Sequence, residues 1–391
     1  MKLWQKKYGL NKQIDQYTVG NDYILDKKLI KYDCLASIAH AKMLGSINFL
    51  KDEEVQKLVH ELNKIILLNE QGEFTIDNEQ EDVHTAIENF LTQNLGELGK
   101  KIHTARSRND QVLTALRLYY KDQLQECKKL NNELMGSMNK FNKEFGSTNI
   151  PGFTHTRKAM PSSVAMWAES FIDSIKDNNK LIDVSFDIVD QSPLGVGAGY
   201  GVPLKIDREL TANLLNFKKV QKNPIYVQNS RGKFELTIMH ALNQIMQDLN
   251  KIATDLIIFS MPEFSYFQLP EEFCTGSSIM PHKKNPDVLE LIRAKYHVLS
   301  SYDYQIRNTT SNLISGYHRD LQLTKEPVFN GFEIVKDSLS IMTLVFSKLN
   351  VNRGKCHKAM TKELYATEEV YRLVKKGIPF RDAYKIISDK F

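Results

Sequence analysis

The strongest constraint on the fold is a run from Val112 to Phe141. Val112, Leu116, Tyr119, Leu124, Cys127, Leu130, Leu134, Met138 and Phe141 recur at heptad-like spacing, and neither Gly nor Pro interrupts them before Gly136. Apolar residues at that period make one stripe of a helix. At 1.5 Å per residue such a helix is roughly 50 Å long, a length that one domain alone seldom needs. A chain that makes it must supply other long helices to cover it.

Four further segments do so, 161–188, 231–260, 286–311 and 327–349. Only 11 prolines and 19 glycines punctuate 391 residues, and strand-like alternation is scarce. The expected fold is therefore all-α, with a central bundle of five long helices. The face formed by Leu236, Met239, Leu242, Ile245, Leu249, Ile252, Leu256 and Phe259 is broader than one antiparallel bundle must bury, which predicts helix packing between subunits. Shorter amphipathic helices are expected earlier. Leu29, Ile30, Cys34, Ile38, Ala39 and Met43 mark 26–44, Val55, Leu58, Leu62 and Ile65 mark 52–68, and Val83, Ile87, Phe90 and Leu91 mark 81–95. The expected division is an N-terminal helical domain over 1–107, the central bundle over 108–350, and a truncated or short C-terminal domain over 351–391.

Composition narrows the function classes. The net charge is +5, but 52 basic residues are interspersed with 47 acidic ones and no basic run interleaved with aromatics appears, so nucleic acid is not an expected partner. Cys34, Cys127, Cys274 and Cys356 are scattered and lack any metal-ligand spacing, which predicts a reduced cytoplasmic protein without a structural metal. The segment Met1 to Lys7 has no apolar core for a signal peptide, and no later run approaches bilayer-spanning length. The expectation is a soluble protein with no membrane partner.

Three polar stretches fall between the helices, at 104–111, 154–161 and 277–285, each combining hydroxyls with cations or a histidine. In the last, Asn285 reads as an N-cap, Pro286 as the first helical residue and Asp287 as a first-turn acid. Free N–H groups and the positive end of the helix dipole, with Lys283 and Lys284 just upstream, suit a carboxylate or phosphate. Ser277 lies beside them on a loop that can close. On local chemistry alone this reads equally well as an ordinary capped helix. The 104–111 stretch reads equally as a basic loop capping the long helix through Asn109 and Asp110, and His155 as a turn histidine. Gly195, Gly197, Gly199 and Gly201 fail the GxGxxG spacing of a dinucleotide loop, and no cofactor is expected.

The run GSSIMPHKKNPDVLELIR at 276–293 resembles the GSSxMPxKxNP hallmark of the fumarase/aspartase superfamily, and within it the argininosuccinate lyase family. IHTARSRNDQV at 102–112 is similar to that family's HTGRSRNDQV, with Ala105 where glycine is usual. The stretch 151–161 resembles GYTHLQxAQP, matching at Thr154, His155 and Pro161. The segment 316–326 resembles YNxDLQxxKE, with His318 in place of asparagine. EDVHTAIE at 81–88 and SPLGVGAGYGVPLKIDREL at 192–210 add smaller matches. The family's serine or asparagine near Gly20 is Asp22 here, and no contact is assigned to it. The C-terminal part is shorter than the family's usual one, with Tyr384 where its PFRxAH pattern has histidine.

The resemblance implies a homotetramer whose active sites are shared between subunits, and reversible anti elimination of argininosuccinate to L-arginine and fumarate. It implies substrate binding by Arg108, Asn109, Thr154, Tyr317, Gln322 and Lys325. Lys283, Asn285 and the helix start would stabilise the doubly charged intermediate left when a proton departs beside a carboxylate. Ser277 is the candidate base and His155 the candidate acid, an assignment that could be reversed because histidine is the more usual base. Glu290 maps to the glutamate that orients the histidine. The alternatives are another fumarate-releasing lyase, such as an adenylosuccinate lyase, and a non-catalytic crystallin-like oligomer.

Overall fold

The computed structural model describes residues 11–390. The reading of Met1 to Lys7 lies outside them. Eight helices carry the architecture: α1 Ile30–Ser46, α2 Asp52–Glu70, α3 Val83–Leu95, α4 Arg108–Phe145, α5 Val164–Val189, α6 Lys233–Ser260, α7 Asp287–Thr309 and α8 Lys325–Lys348. The expectation of an all-α helical bundle holds. Helix α4 has 38 residues, about 57 Å at 1.5 Å per residue. None of the described helices is long and apolar enough to cross a membrane.

The chain forms two compact units. Unit 1 comprises Met1–Gln125, Ile182–Met239 and Tyr302–Asn330, and unit 2 comprises Glu126–Leu181, His240–Ser301 and Gly331–Phe391. In unit 1, α1 packs on α2 and on a short helix, Arg208–Leu214. Tyr119 and Phe329 meet there at 4.6 Å between ring centroids, their planes tilted by 56°. In unit 2 the core is aromatic: Phe267 meets Phe141, Trp167 and Phe259. Burying each such ring contributes roughly 1.5–3 kcal/mol. Polar pins register the helices of unit 2, among them Trp167 Nε1 donating to Asp255 at 2.9 Å and Ser174 Oγ to Asp248 at 2.6 Å. Beyond residue 351, the helices Ala366–Val374 and Phe380–Ser388 close a small cluster of Val370, Ala383 and Ile387.

Three local readings are corrected. Pro161 does not open a helix. It lies in strand β2, Arg157–Ser163, which pairs antiparallel with β1, Asn149–Thr154, and α5 starts at Val164. The hydrophobic pattern beyond residue 164 was helical, but Pro161, paired with Pro151, sits at the irregularity of a short hairpin, where the missing N–H is tolerated. Asn285 does not cap α7. Its backbone exchanges hydrogen bonds with Thr275, at 2.8 and 3.0 Å, and its side-chain amide donates to Gly276 O. The carbonyl of Pro286 accepts the first helical bond, from Glu290 N–H, and the loop is tied shut at its base. At the start of α4, the cap is Ser107 rather than Asn109. Its Oγ accepts from Asn109 N–H, while Ser107 N–H donates to Asp110 Oδ1 at 2.8 Å, a reciprocal box of the kind that fixes helix starts.

Asp110 also explains the glycine-rich run. Its second carboxylate oxygen accepts from Gly195 N–H and Gly197 N–H, both at 3.0 Å. Gly195 has φ +89°, and a Cβ there would meet Ile206 at 2.7 Å, so the glycines permit a close wrap around a helix start. Burial pushes the Asp110 carboxyl up to about 6 although three N–H groups favour its charge.

Candidate active site

Unit 1 holds a pocket of about 420 Å³. Five of the expected binding residues, Arg108, Asn109, Tyr317, Gln322 and Lys325, line it. Arg108 and Asn109 arrive on the first turn of α4, which is held by the Ser107 and Asp110 bonds. Ala105 just before it has φ +60°, a conformation that glycine, usual at this point in the resembling family, adopts without the ~1 kcal/mol cost borne by an L side chain. Gln322 and Lys325 come from the 3-10 turn Arg319–Thr324 and the start of α8. The Gln322 amide donates to Thr18 O and Val19 O, and so fastens the 18–22 segment over the pocket.

The pocket is densely charged, and most of its cations are already paired. Lys325 is buried, 2.5 Å from Asp26 and 3.0 Å from Asp22. Burial opposes its charge, but the two carboxylates hold its ammonium above the ordinary lysine value. Arg108 pairs with Asp82 and Glu81, and Arg319 with Glu81 at 2.9 Å. His84 bonds Asp33. Despite full burial, Asp33 keeps the imidazole above its usual value. Burial likewise works against Asp82, yet His84 and Arg108 hold it below the ordinary carboxylate range.

Asp26, Glu81, Asp82, His84 and Arg231 were not singled out as site residues from the sequence. The signal for three of them was present in EDVHTAIE, since two acids just before a helix and a histidine in its first turn are a poor choice for a core. Arg231 stands in a Ser-Arg-Gly link between helices and carries no comparable signal.

The remaining expected residues belong to unit 2. Thr154 precedes the turn of the β1–β2 hairpin, and Thr154 pairs with Arg157, so the turn itself is His155 and Thr156. Both have positive φ, +51° and +59°. Two-residue hairpin turns of this kind favour Asn-Gly, and a histidine followed by a β-branched residue is strained there by about 1–2 kcal/mol per residue. Such strain persists where a position serves function. The hairpin is steadied by Lys158 Nζ, which donates to Ala359 O at 2.9 Å. Replacing Thr156 with glycine is expected to raise stability by about 1 kcal/mol while loosening His155 and lowering turnover several-fold. Thermal unfolding and steady-state rates measured on the same preparation check this, and a lowered Tm would contradict it.

Ser277 opens the 276–284 loop. Its Oγ accepts from Met280 N–H at 3.1 Å and Ile279 N–H at 3.4 Å. Two backbone donors aimed at one hydroxyl oxygen favour its negative form. Lys283, Asn285 and Glu290 line a cleft of about 910 Å³. Lys284 is engaged by Glu271, while none of the described ion pairs involves Lys283. None of the described hydrogen bonds joins the His155 ring to Glu290 within one chain.

Residues 9–299 match the protein family described as Lyase. Solved structures agree on the fold. That of EDDS lyase in complex with formate aligns with a TM-score of 0.83 at 21% identity, covering 97% of this chain and 76% of that one. A class II fumarase from Schistosoma mansoni aligns at 0.79 and 16%, covering 98% and 92%. Fold and sequence together define a lyase of the fumarase/aspartase class. The Argininosuccinate lyase of Thermotoga neapolitana is 55% identical over 390 residues, covering 100% of this chain and 98% of that protein. That of Parabacteroides distasonis is 42% identical over 387 residues, covering 99% and 87%. This chain belongs to the argininosuccinate lyase family.

Proposed function

We propose that this protein cleaves argininosuccinate reversibly to L-arginine and fumarate, a step of arginine biosynthesis. The observation that carries the reading is the full-length identity of 55% to a protein named Argininosuccinate lyase, in a chain that keeps the RSRND, GSSIMPHKKNP and DLQLTKE stretches. An adenylosuccinate lyase or a crystallin-like role is not favoured by such relatives.

In the mechanism we infer, Ser277 as its alkoxide removes a proton from the succinyl carbon beside a carboxylate. The electron pair moves into that carboxylate, giving an aci-carboxylate, and then returns to form the double bond as the C–N bond breaks. His155 gives a proton to the departing guanidino nitrogen. The bonds from Ile279 and Met280 N–H support Ser277 as the base. Lys283 and Asn285 supply positive potential for the extra negative charge, and preorganised donors of this type are usually the largest catalytic contribution. Thr154 and the residues of the unit 1 pocket bind the substrate, and Glu290 orients His155.

The protein acts as a cytoplasmic homotetramer in which neighbouring subunits contribute the loops to each site. Exposed apolar side chains on α7, including Leu291, Val298 and Tyr304, support helix packing between copies. The four cysteines are free thiols, in keeping with a reducing compartment. Adding argininosuccinate to the purified protein should produce the ultraviolet absorbance of fumarate, and light scattering should give four times the chain mass. Fumarate from adenylosuccinate but not from argininosuccinate would refute the substrate, and a monomeric active protein would refute the shared site.

A further inference from the structure

The β1–β2 hairpin that carries His155 does little to hold its own shape. Its strands have six and seven residues, Pro151 stands opposite Pro161, and the register slips between Pro151 and Phe153. A two-stranded hairpin is marginal in water even with a full ladder, and the prolines remove donors from this one. At the tip, His155 and Thr156 both have positive φ, and the Thr156 hydroxyl donates to the neighbouring His155 O at 2.6 Å, a bond that ties the tip to itself. The place of the imidazole must therefore be set from outside the hairpin.

Two side chains reach out to do so. Phe153 and Lys158 are direct cross-strand partners, so both project from one face of the hairpin. The Phe153 ring meets Phe259 at 6.0 Å and Phe264 at 6.3 Å between centroids. Lys158 Nζ donates to Ala359 O at 2.9 Å. Ala359 ends the helix Arg353–Ala359, where carbonyls lack partners within the helix and the dipole favours a cation. That helix is itself firmly seated. Asn352 N–H donates to Tyr266 O at 2.9 Å, the Cys356 side chain is fully buried, and Arg353 donates to Glu144 O at 3.1 Å, near the end of α4. Strand β1 packs on this helix, and β2 on the 3-10 turn Lys362–Tyr365 that follows it. Glu363 in that turn is held below the ordinary carboxylate value by the Thr361 hydroxyl first, with Lys158 adding to it. An aromatic contact keeps the hairpin down but lets it slide, whereas a directional bond to a fixed carbonyl sets where it stops.

We propose that Lys158 is a positioning residue: by gripping the carbonyl end of the Arg353–Ala359 helix it sets the place of the His155 imidazole, and so makes the C-terminal segment a part of the proton-transfer machinery. The proposal rests on the reading of His155 as the acid and adds to it what aims the ring. A misplacement of about 1 Å can cost a hundredfold in rate, so a surface bond of modest weight in folding has a large weight in turnover.

The test follows kcat and KM for argininosuccinate cleavage. Lys158→Met keeps an unbranched side chain and removes the donor, and should lower kcat about tenfold to a hundredfold while KM stays within about twofold, since the substrate contacts remain. Lys158→Arg keeps a donor and should hold kcat within about threefold of the unaltered protein. Neither should move the thermal midpoint by more than about 4 °C. His155→Asn decides the route: adding Lys158→Met to it should change kcat by less than about twofold, because a residue that acts through another has nothing left to act on. Lys158→Ala is the second variant in case methionine disturbs folding. The proposal is overturned if kcat is unchanged, if KM rises instead, if the losses from positions 158 and 155 multiply, or if both substitutions at Lys158 unfold the protein. Should the unaltered protein fail to cleave argininosuccinate, or His155→Asn turn over normally, the activity or the acid reading fails separately. Hydrogen exchange of the full-length protein then decides whether Lys158 places the hairpin. It does so if amides in 149–163 exchange about tenfold faster in Lys158→Met but not in Lys158→Arg, and it does not if the two variants match.

Discussion

Ser277→Ala is expected to lower kcat for fumarate release by about a thousandfold, within the range that a positioned general base contributes. A serine hydroxyl is a weak base in water, so the prediction depends on what surrounds the oxygen. The N–H groups of Ile279 and Met280 point at it, and Lys283, which none of the described ion pairs involves, lies further along the same tied loop. Alanine keeps the loop geometry but removes the proton acceptor. Ser277 is half-buried and its partners are exposed, so water replaces the lost bonds and stability should change by less than about 0.5 kcal/mol. The check is a steady-state assay beside a thermal melt. Turnover within tenfold of the unaltered protein would remove Ser277 from the base role and leave His155 as the remaining candidate.

Lys325→Met is expected to be the most damaging single change to the pocket, costing about 3–5 kcal/mol of stability as well as activity. Lys325 is 3% exposed, and its ammonium is held between Asp22 and Asp26. Methionine fills its volume but leaves the buried Asp26 and the half-buried Asp22 without that counter-charge. The direction with pH follows from linkage. Asp22 already has a folded-state pKa above its unfolded one through burial, and losing Lys325 raises it further. A raised carboxyl binds more protons folded than unfolded, so the variant should regain stability as pH falls through that raised value toward the unfolded one near 3.9. Denaturant melts across this window test it. A loss that does not shrink on acidification would mean that packing, not charge, dominates.

The helical run from Val112 to Phe141 determined a great deal without any tertiary knowledge. Its period leaves only a long helix, and a long helix requires companions, which the later apolar stretches supply. The polar stretches between them were legible because charged, hydroxyl-bearing segments are wasteful in a bundle unless something binds there. The hairpin at 149–163 was not legible, because Pro151 and Pro161 argue against strands and the apolar pattern of α5 merges with it. The tied loop at Thr275 and Asn285 was also hidden, since the sequence Asn285-Pro286-Asp287 is equally a good helix cap and only the pairing partner decides.

The sequence by itself determined the helical architecture, the family and the residue types needed for a proton transfer beside a carboxylate, because periodicity and motif are properties of neighbours along the chain. Only the tertiary structure decided which charges are spent. Lys325 and Arg108 look like free cations on paper and are matched by Asp22, Asp26, Glu81 and Asp82 in the fold, whereas Arg231 looks unremarked and is buried without any of the described ion pairs. Charge balance depends on distance through space, and residues nearly three hundred positions apart, as Asp26 and Lys325 are, reveal it only when the chain is folded.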